Sequence, residues 1–162
     1  MIKVIRTGFL IFYKNRFKCS FGKEGFTKKK REGDLKTPIG YFKIIKCYYR
    51  SDRIKKLTTK LRLIKISKKM GWCDDPLSPK YNKLVQLPSK YRYEKLFKKD
   101  HTYDIILVLN YNTNPVTKNK GSAIFIHIAR EKYLPTKGCI ALNKRDLIEL
   151  MSKINHKTII KI

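Results

Sequence analysis

Residues 103–109, YDIILVL, form a nearly continuous apolar run. The run is far too short to cross a membrane, and it reads as a strand buried on both faces at the centre of a sheet. Short β-type runs surround it. Residues 2–6, 9–13 and 16–21 are separated by Thr7-Gly8 and Lys14-Asn15, which predicts an opening meander with tight turns. Further strands are predicted at 39–50, where Pro38 biases Thr37 to extended backbone, and at 157–162. Helical spacing occurs in two places. Tyr93, Leu96 and Phe97 predict a short helix over 92–99; Leu147, Leu150, Met151 and Ile154 predict another behind an Asn143 N-cap, with Asp146 in its first turn. Residues 71–88 hold three prolines and an Asp pair and read as a long ordered loop, as do 22–38 with their glycines and lysines. The Lys-rich stretch 51–70 has no clear period. With no repeat and no linker, the chain is expected to be a single domain over 1–162. The expected fold class is mostly β, with β-sandwich-like mixed sheets and one or two short helices.

The charge balance is extreme, with 39 basic and 12 acidic residues among 162, a formal net charge of +27. Lysines are scattered along the whole chain. Such a field attracts polyanions, whether nucleic acid, anionic lipid or an anionic wall polymer, and it equally fits a Lys-, Ile- and Asn-rich codon usage. The four cysteines, Cys19, Cys47, Cys73 and Cys139, are widely spaced and never form a C-x-x-C pair, which argues against a zinc site or a disulfide scaffold. At least three of them read as small buried hydrophobes. No transmembrane segment and no signal peptide is visible, so the sequence taken by itself suggests a cytoplasmic chain. No cofactor and no metal is expected, and oligomeric state is not addressed by any motif.

Residues 123–142, AIFIHIAREKYLPTKGCIAL, carry the chemistry-bearing pair. Alternation in 123–128 puts Ile124, Ile126 and Ile128 on one face and Ala123, Phe125 and His127 on the other. In 138–142, Ile140 and Leu142 share one face, with Cys139 and Ala141 opposite. On neighbouring strands, His127 and Cys139 can face the same space, as a thiol and its base require. Gly138 has no side chain to obstruct an acyl group approaching the sulfur, and backbone N–H groups at this turn can bind an oxyanion. The implied chemistry is acyl transfer through a thioester, although a Cys and a His on adjacent strands also occur as purely structural residues.

G-D-L-K-T-P-I-G at 33–40, His127, and T-K-G-C-I-A-L at 136–142 resemble the L,D-transpeptidase catalytic domain, or YkuD, family. Gly33, Thr37, Pro38, Gly40 and Phe42 match its G-x-x-x-T-P-x-G-x-F segment. Thr136, Gly138, Cys139 and Ile140 match its S/T-x-G-C segment. Residues 71–82 (G-W-C-D-D-P with Y-N) and 121–128 (G-S-A-I-F-I-H-I) resemble a compact single-domain branch, so the likeness spans roughly 30–150. The resemblance implies a peptidoglycan stem peptide as substrate, Cys139 as nucleophile and His127 as general base. It also implies that the Ile128 carbonyl orients the imidazole, that the Gly138 and Cys139 amides form the oxyanion hole, and that Thr136 shapes the pocket by hydrogen bonding. Thr37-Pro38 is expected to support the fold beside the site.

Two departures concern substrate contacts, for which the motifs assign no residue. Ala141 stands where the family often has Arg, and the loop from His127 to Cys139 is shorter than in many members. Arg130 is the candidate to supply the missing cation, with Lys132 beside it; for both, solvation at the surface is the alternative. A substrate of this class lies outside the cytoplasmic membrane, so a periplasmic or wall location is expected if the family's substrate holds. Partners are therefore peptidoglycan stem peptides and, through the basic surface, an anionic polymer. The contrasting reading is a catalytically weak basic module that only binds such a polymer. Asp74 and Asp75 are expected to cap a loop, and His101 and His156 to face solvent.

Overall fold

A computed structural model describes residues 1–162. In chain order the strands are β1 (Ile2–Ile5), β2 (Phe9–Phe12), β3 (Asn15–Ser20), β4 (Phe26–Thr27), β5 (Thr37–Pro38), β6 (Tyr41–Tyr49) and β7 (Leu63–Lys65). They continue with β8 (Met70–Cys73), β9 (Leu84–Gln86), β10 (Tyr93–Lys95), β11 (Ile105–Leu109), β12 (Phe125–Ile128) and β13 (Ile140–Leu142). Helix α1 (Lys144–Lys153) and strand β14 (Ile159–Lys161) close the chain.

The main sheet runs β11-β12-β13-β3-β2-β1-β14-β6, and β6 pairs back to β11, which closes an eight-stranded barrel with β7 appended to β6. The expected sandwich is thereby corrected to a barrel-like closed sheet, while the mixed strand directions hold, with β1–β14 and β12–β13 parallel. Closure depends on the length of β6. One edge of β6 pairs with β14 at Tyr41–Lys43 and then with β7 at Cys47–Tyr49, while its other edge takes β11. A register shift between Val108 and Leu109 leaves Ile45 as an extra, exposed residue on β6, and such a bulge bends the strand around the barrel.

All five residues of β11 are buried, because it has a layer on each face. Ile105, Leu107 and Leu109 enter the main core with Ile124, Ile126, Ile128, Ile140 and Leu142. Ile106 and Val108 enter a smaller outer core with Phe125, Trp72, Tyr103 and Leu96. The lid of that outer core is the three-stranded sheet β10-β8-β9. Two expectations fail here. The loop predicted for 71–88 contains most of β8 and all of β9, flanking a turn, and the helix predicted for 92–99 is strand β10 with Leu96 beyond it. Tyr93–Lys95 pair with Gly71–Cys73, and the Leu96 amide donates to Met70 O, so long-range pairing overrides the local i, i+3 spacing.

The C-terminal helix follows expectation. The Asn143 side chain accepts from the Asp146 amide at 2.8 Å, and Leu147, Leu150, Met151 and Ile154 are all buried in the main core. It is the single α-helix; residues Glu131–Tyr133 form only a 3₁₀ turn, with Lys132 at φ 53°. No helix is long and apolar enough to cross a membrane.

Candidate active site

Strands β12 and β13 run parallel with Ile126, His127 and Ile128 opposite Ile140, Ala141 and Leu142. Parallel register and strand alternation together put Phe125, His127, Cys139 and Ala141 on the outer face of the barrel. His127 and Cys139 line one cleft of about 290 Å³, with Lys30, Glu94, Lys98 and Tyr103 among its other walls.

His127 is 6% exposed. Its Nδ1 lies 2.9 Å from the carbonyl of Ile128. A carbonyl can only accept, so Nδ1 carries the hydrogen and Nε2 keeps its lone pair. The ring of Tyr103 stands edge-on to the imidazole at 5.3 Å between centroids, which fixes the ring plane from the cleft side. Burial pushes the imidazole pKa down to about 4, against a smaller upward pull from the Ile128 carbonyl. The ring is therefore neutral at physiological pH.

Cys139 is partly exposed to the cleft. Its Sγ donates to the carbonyl of Ala123 at 3.0 Å and accepts the amide N–H of Phe125 at 3.4 Å. The surrounding protein pushes the thiol pKa up to about 12, opposed by the Phe125 amide. Thiol and imidazole thus rest as a neutral pair.

The turn before the sulfur is built around Thr136. Its hydroxyl donates to Cys139 O at 2.6 Å and accepts from the Gly138 amide at 3.1 Å. Gly138 sits at φ 137°, and a Cβ there would lie 2.7 Å from Lys36 O, so only glycine fits. Because the Gly138 amide is already bonded to Thr136, it is not free for an oxyanion; no turn or loop hydrogen bond uses the Cys139 amide.

The model of the L,D-transpeptidase catalytic domain, YkuD, matches residues 4–162, essentially the whole chain. The chain belongs to the L,D-transpeptidase catalytic domain family. No curated protein matches it.

In this L,D-transpeptidase domain the T-P-x-G segment acts at one remove from the sulfur. The Thr37 hydroxyl accepts the Gly22 amide at 2.8 Å, and Gly22 bridges Thr136. The Thr136 amide donates to Phe21 O, and its carbonyl accepts from the Lys23 amide, both at 2.9 Å. Thr37 is fully buried. A hydrogen-bonded ladder therefore runs from Thr37 through Gly22 to Thr136 and on to the Cys139 carbonyl, so this segment supports the turn and does not line the cleft.

The 71–82 stretch holds the other side. Asn82 Oδ1 accepts both the Trp72 indole at 2.9 Å and the Ala123 amide at 3.0 Å. Asn82 Nδ2 donates to Tyr111 O and Asn112 O. Asn82 thus clamps the residue whose carbonyl receives the Cys139 thiol. Asp75 caps its loop through the amides of Leu77 and Arg92, and Asp74 pairs with Arg92 while lining the cleft.

The remaining candidates sort plainly. Arg130 lines the cleft, but its guanidinium donates to Pro135 O at 2.8 Å and braces the short loop. Lys132 does not line the cleft. Ala141 is buried opposite His127. Cys19, Cys47 and Cys73 are buried free thiols. His156 is exposed, and His101 is exposed with its Nδ1 at 2.7 Å from the buried carboxylate of Asp104. Tyr103, Glu94, Lys98 and Lys30 come to the cleft from segments distant in sequence, and no motif marked them. The one hint for Tyr103 was its place at the mouth of the YDIILVL run.

Proposed function

We propose that this protein is a cysteine acyltransferase acting on peptidoglycan stem peptides, an L,D-transpeptidase, or an L,D-carboxypeptidase where water is the acceptor. One observation carries the reading: an imidazole locked by Ile128 O shares a cleft with a thiol whose turn tolerates only glycine at position 138. Substrate binding displaces the thiol hydrogen from Ala123 O toward His127 Nε2. Sγ attacks the peptide carbonyl as its proton passes to the imidazole, and the Cys139 amide stabilises the oxyanion that forms. Collapse breaks the C–N bond; the leaving amine of the terminal D-alanine takes the proton from His127, and a thioester on Cys139 remains. An acceptor amine, or water, then loses its proton to His127 as it attacks the thioester, and the proton returns to Sγ. Neutral partners suit this cycle, since the base is unprotonated when substrate arrives.

Family membership supports the substrate class. With that substrate, the working location we propose is the wall or periplasm, which cell fractionation tests directly. The reaction is tested by incubating the protein with a disaccharide tetrapeptide and resolving the products by mass. Loss of the terminal D-alanine, with dimer or tripeptide formed, is expected for the native protein and not for Cys139→Ala or His127→Ala. Unchanged substrate, or turnover by Cys139→Ala, would remove the proposal.

A further inference from the structure

Beside the catalytic cleft lies a larger groove of about 630 Å³, walled by Lys28, Lys29 and Arg31 on one loop and Lys118 and Lys120 on another. All five are exposed. None of them takes part in any ion pair of the protein. The single carboxylate in the groove, Glu32, is engaged by the Tyr81 hydroxyl. Five cations against that one carboxylate leave a positive excess around one concavity; they repel one another, and the fold nevertheless holds them there. The Glu32 amide donates to Asn119 O at 2.9 Å, joining the two loops. Asn112 fixes the second loop through Thr117 O and Gly121 O, each at 2.9 Å, and the Tyr111 hydroxyl donates to Lys120 O. The groove is therefore a preorganised concentration of positive potential, where counter-charge is focused. It shares Lys30 and Glu32 with the catalytic cleft, so the two concavities abut at these side chains.

We propose that this groove binds a linear phosphodiester polyanion that carries no stacking bases. Four of its five free cations are ammoniums, point charges that can each meet one of a run of successive phosphates, and the single guanidinium adds a fork that can take one phosphate bidentately. A nucleic-acid channel would add aromatic faces for bases. Here the lone ring, Tyr111, is half-buried and packed edge-on against Phe42 at 5.9 Å. The site is independent of the acyl-transfer reading and would serve to hold the domain on an anionic polymer while the cleft works.

The test is fluorescence anisotropy with labelled poly(glycerol phosphate) and with single-stranded DNA of equal phosphate number, across a salt series. The native protein is compared with Lys28→Ala/Lys29→Ala/Lys118→Ala/Lys120→Ala. A control of equal charge change, Lys55→Ala/Lys56→Ala/Lys68→Ala/Lys69→Ala, removes exposed lysines away from the groove. The groove variant is expected to bind poly(glycerol phosphate) at least about tenfold more weakly, and its log Kd against log salt slope to fall by about 3, near 0.7 per lost contact. The control should change less than about threefold on the same grounds, and DNA should bind no more tightly than the glycerol polymer. Equal losses in both variants would reduce the groove to diffuse charge, and a groove-dependent preference for DNA would reassign it to nucleic acid; either result overturns the proposal. Acylation of Cys139, followed by mass in parallel, should persist in the groove variant and separates failure of this site from failure of the enzyme.

Discussion

Replacing His127 with Gln removes a buried titratable ring from the cleft, and the structure predicts how that changes stability with pH. In the unfolded chain the imidazole titrates near 6.5; in the fold, burial lowers this to about 4. Between those values the unfolded state binds the proton and the native state does not, so stability falls as pH drops through that window. The contribution is complete above about pH 6.5 and is lost by about pH 4. A gap of roughly 2.5 units at 1.36 kcal/mol each gives about 3 kcal/mol. His127→Gln carries no such titration, while every carboxylate is common to both proteins. Urea denaturation of the two proteins at pH 7, 6, 5 and 4 should show the native protein losing about 3 kcal/mol more than the variant. Parallel stability curves between pH 7 and 4 would refute the claim that the ring is held neutral by burial.

Thr37→Val leaves the buried Gly22 amide without its acceptor, so a stability loss of about 1–3 kcal/mol is expected, with slower acylation of Cys139; Thr37→Ser should restore both. Thermal melts and adduct rates measured side by side check this, and a slow Thr37→Val with native stability would contradict the supporting role. Gly138→Ala forces a Cβ against Lys36 O at a left-handed φ, which should cost about 1–3 kcal/mol and abolish acylation. Native acylation by that variant would show that the turn is not constrained as described.

Much of this architecture is local and was legible in the residues. Alternation in 123–128 and 138–142 separates the core-facing isoleucines from His127 and Cys139, and the apolar spacing after Asn143 marks the one helix. The unbroken run at 105–109 signals two buried faces because it has two layers. Closure of the barrel was not legible: it depends on which edges β6 shares with β14, β7 and β11, and alternation within a strand says nothing about its neighbours. The same limit explains 92–99. Tyr93, Leu96 and Phe97 have helical spacing, yet their burial comes from pairing with β8 and from packing under Arg50, whose guanidinium lies 3.5 Å from the Phe97 ring centre. At the site, the pairing of the Cys139 thiol with the His127 imidazole was readable from neighbouring strands, while Tyr103, Glu94 and Lys98 were not, since only the topology brings their segments to the cleft. Asn82 stood in the Y-N pair, but its clamp on Ala123 did not show in the residues. The Gly138 amide shows a finer limit. Its position beside the thiol suggested an oxyanion donor, but the Thr136 hydroxyl two residues earlier already accepts it.

The central claim is that Cys139 accepts an acyl group with His127 as its base. Intact-mass measurement after incubation with a carbapenem tests it most directly. The native protein should gain one adduct, mapped by proteolysis to the peptide carrying Cys139. Cys139→Ala should gain none, and His127→Gln should acylate more slowly while remaining folded at pH 7. An adduct that persists in Cys139→Ala, or a native protein that gains no mass, would contradict the account.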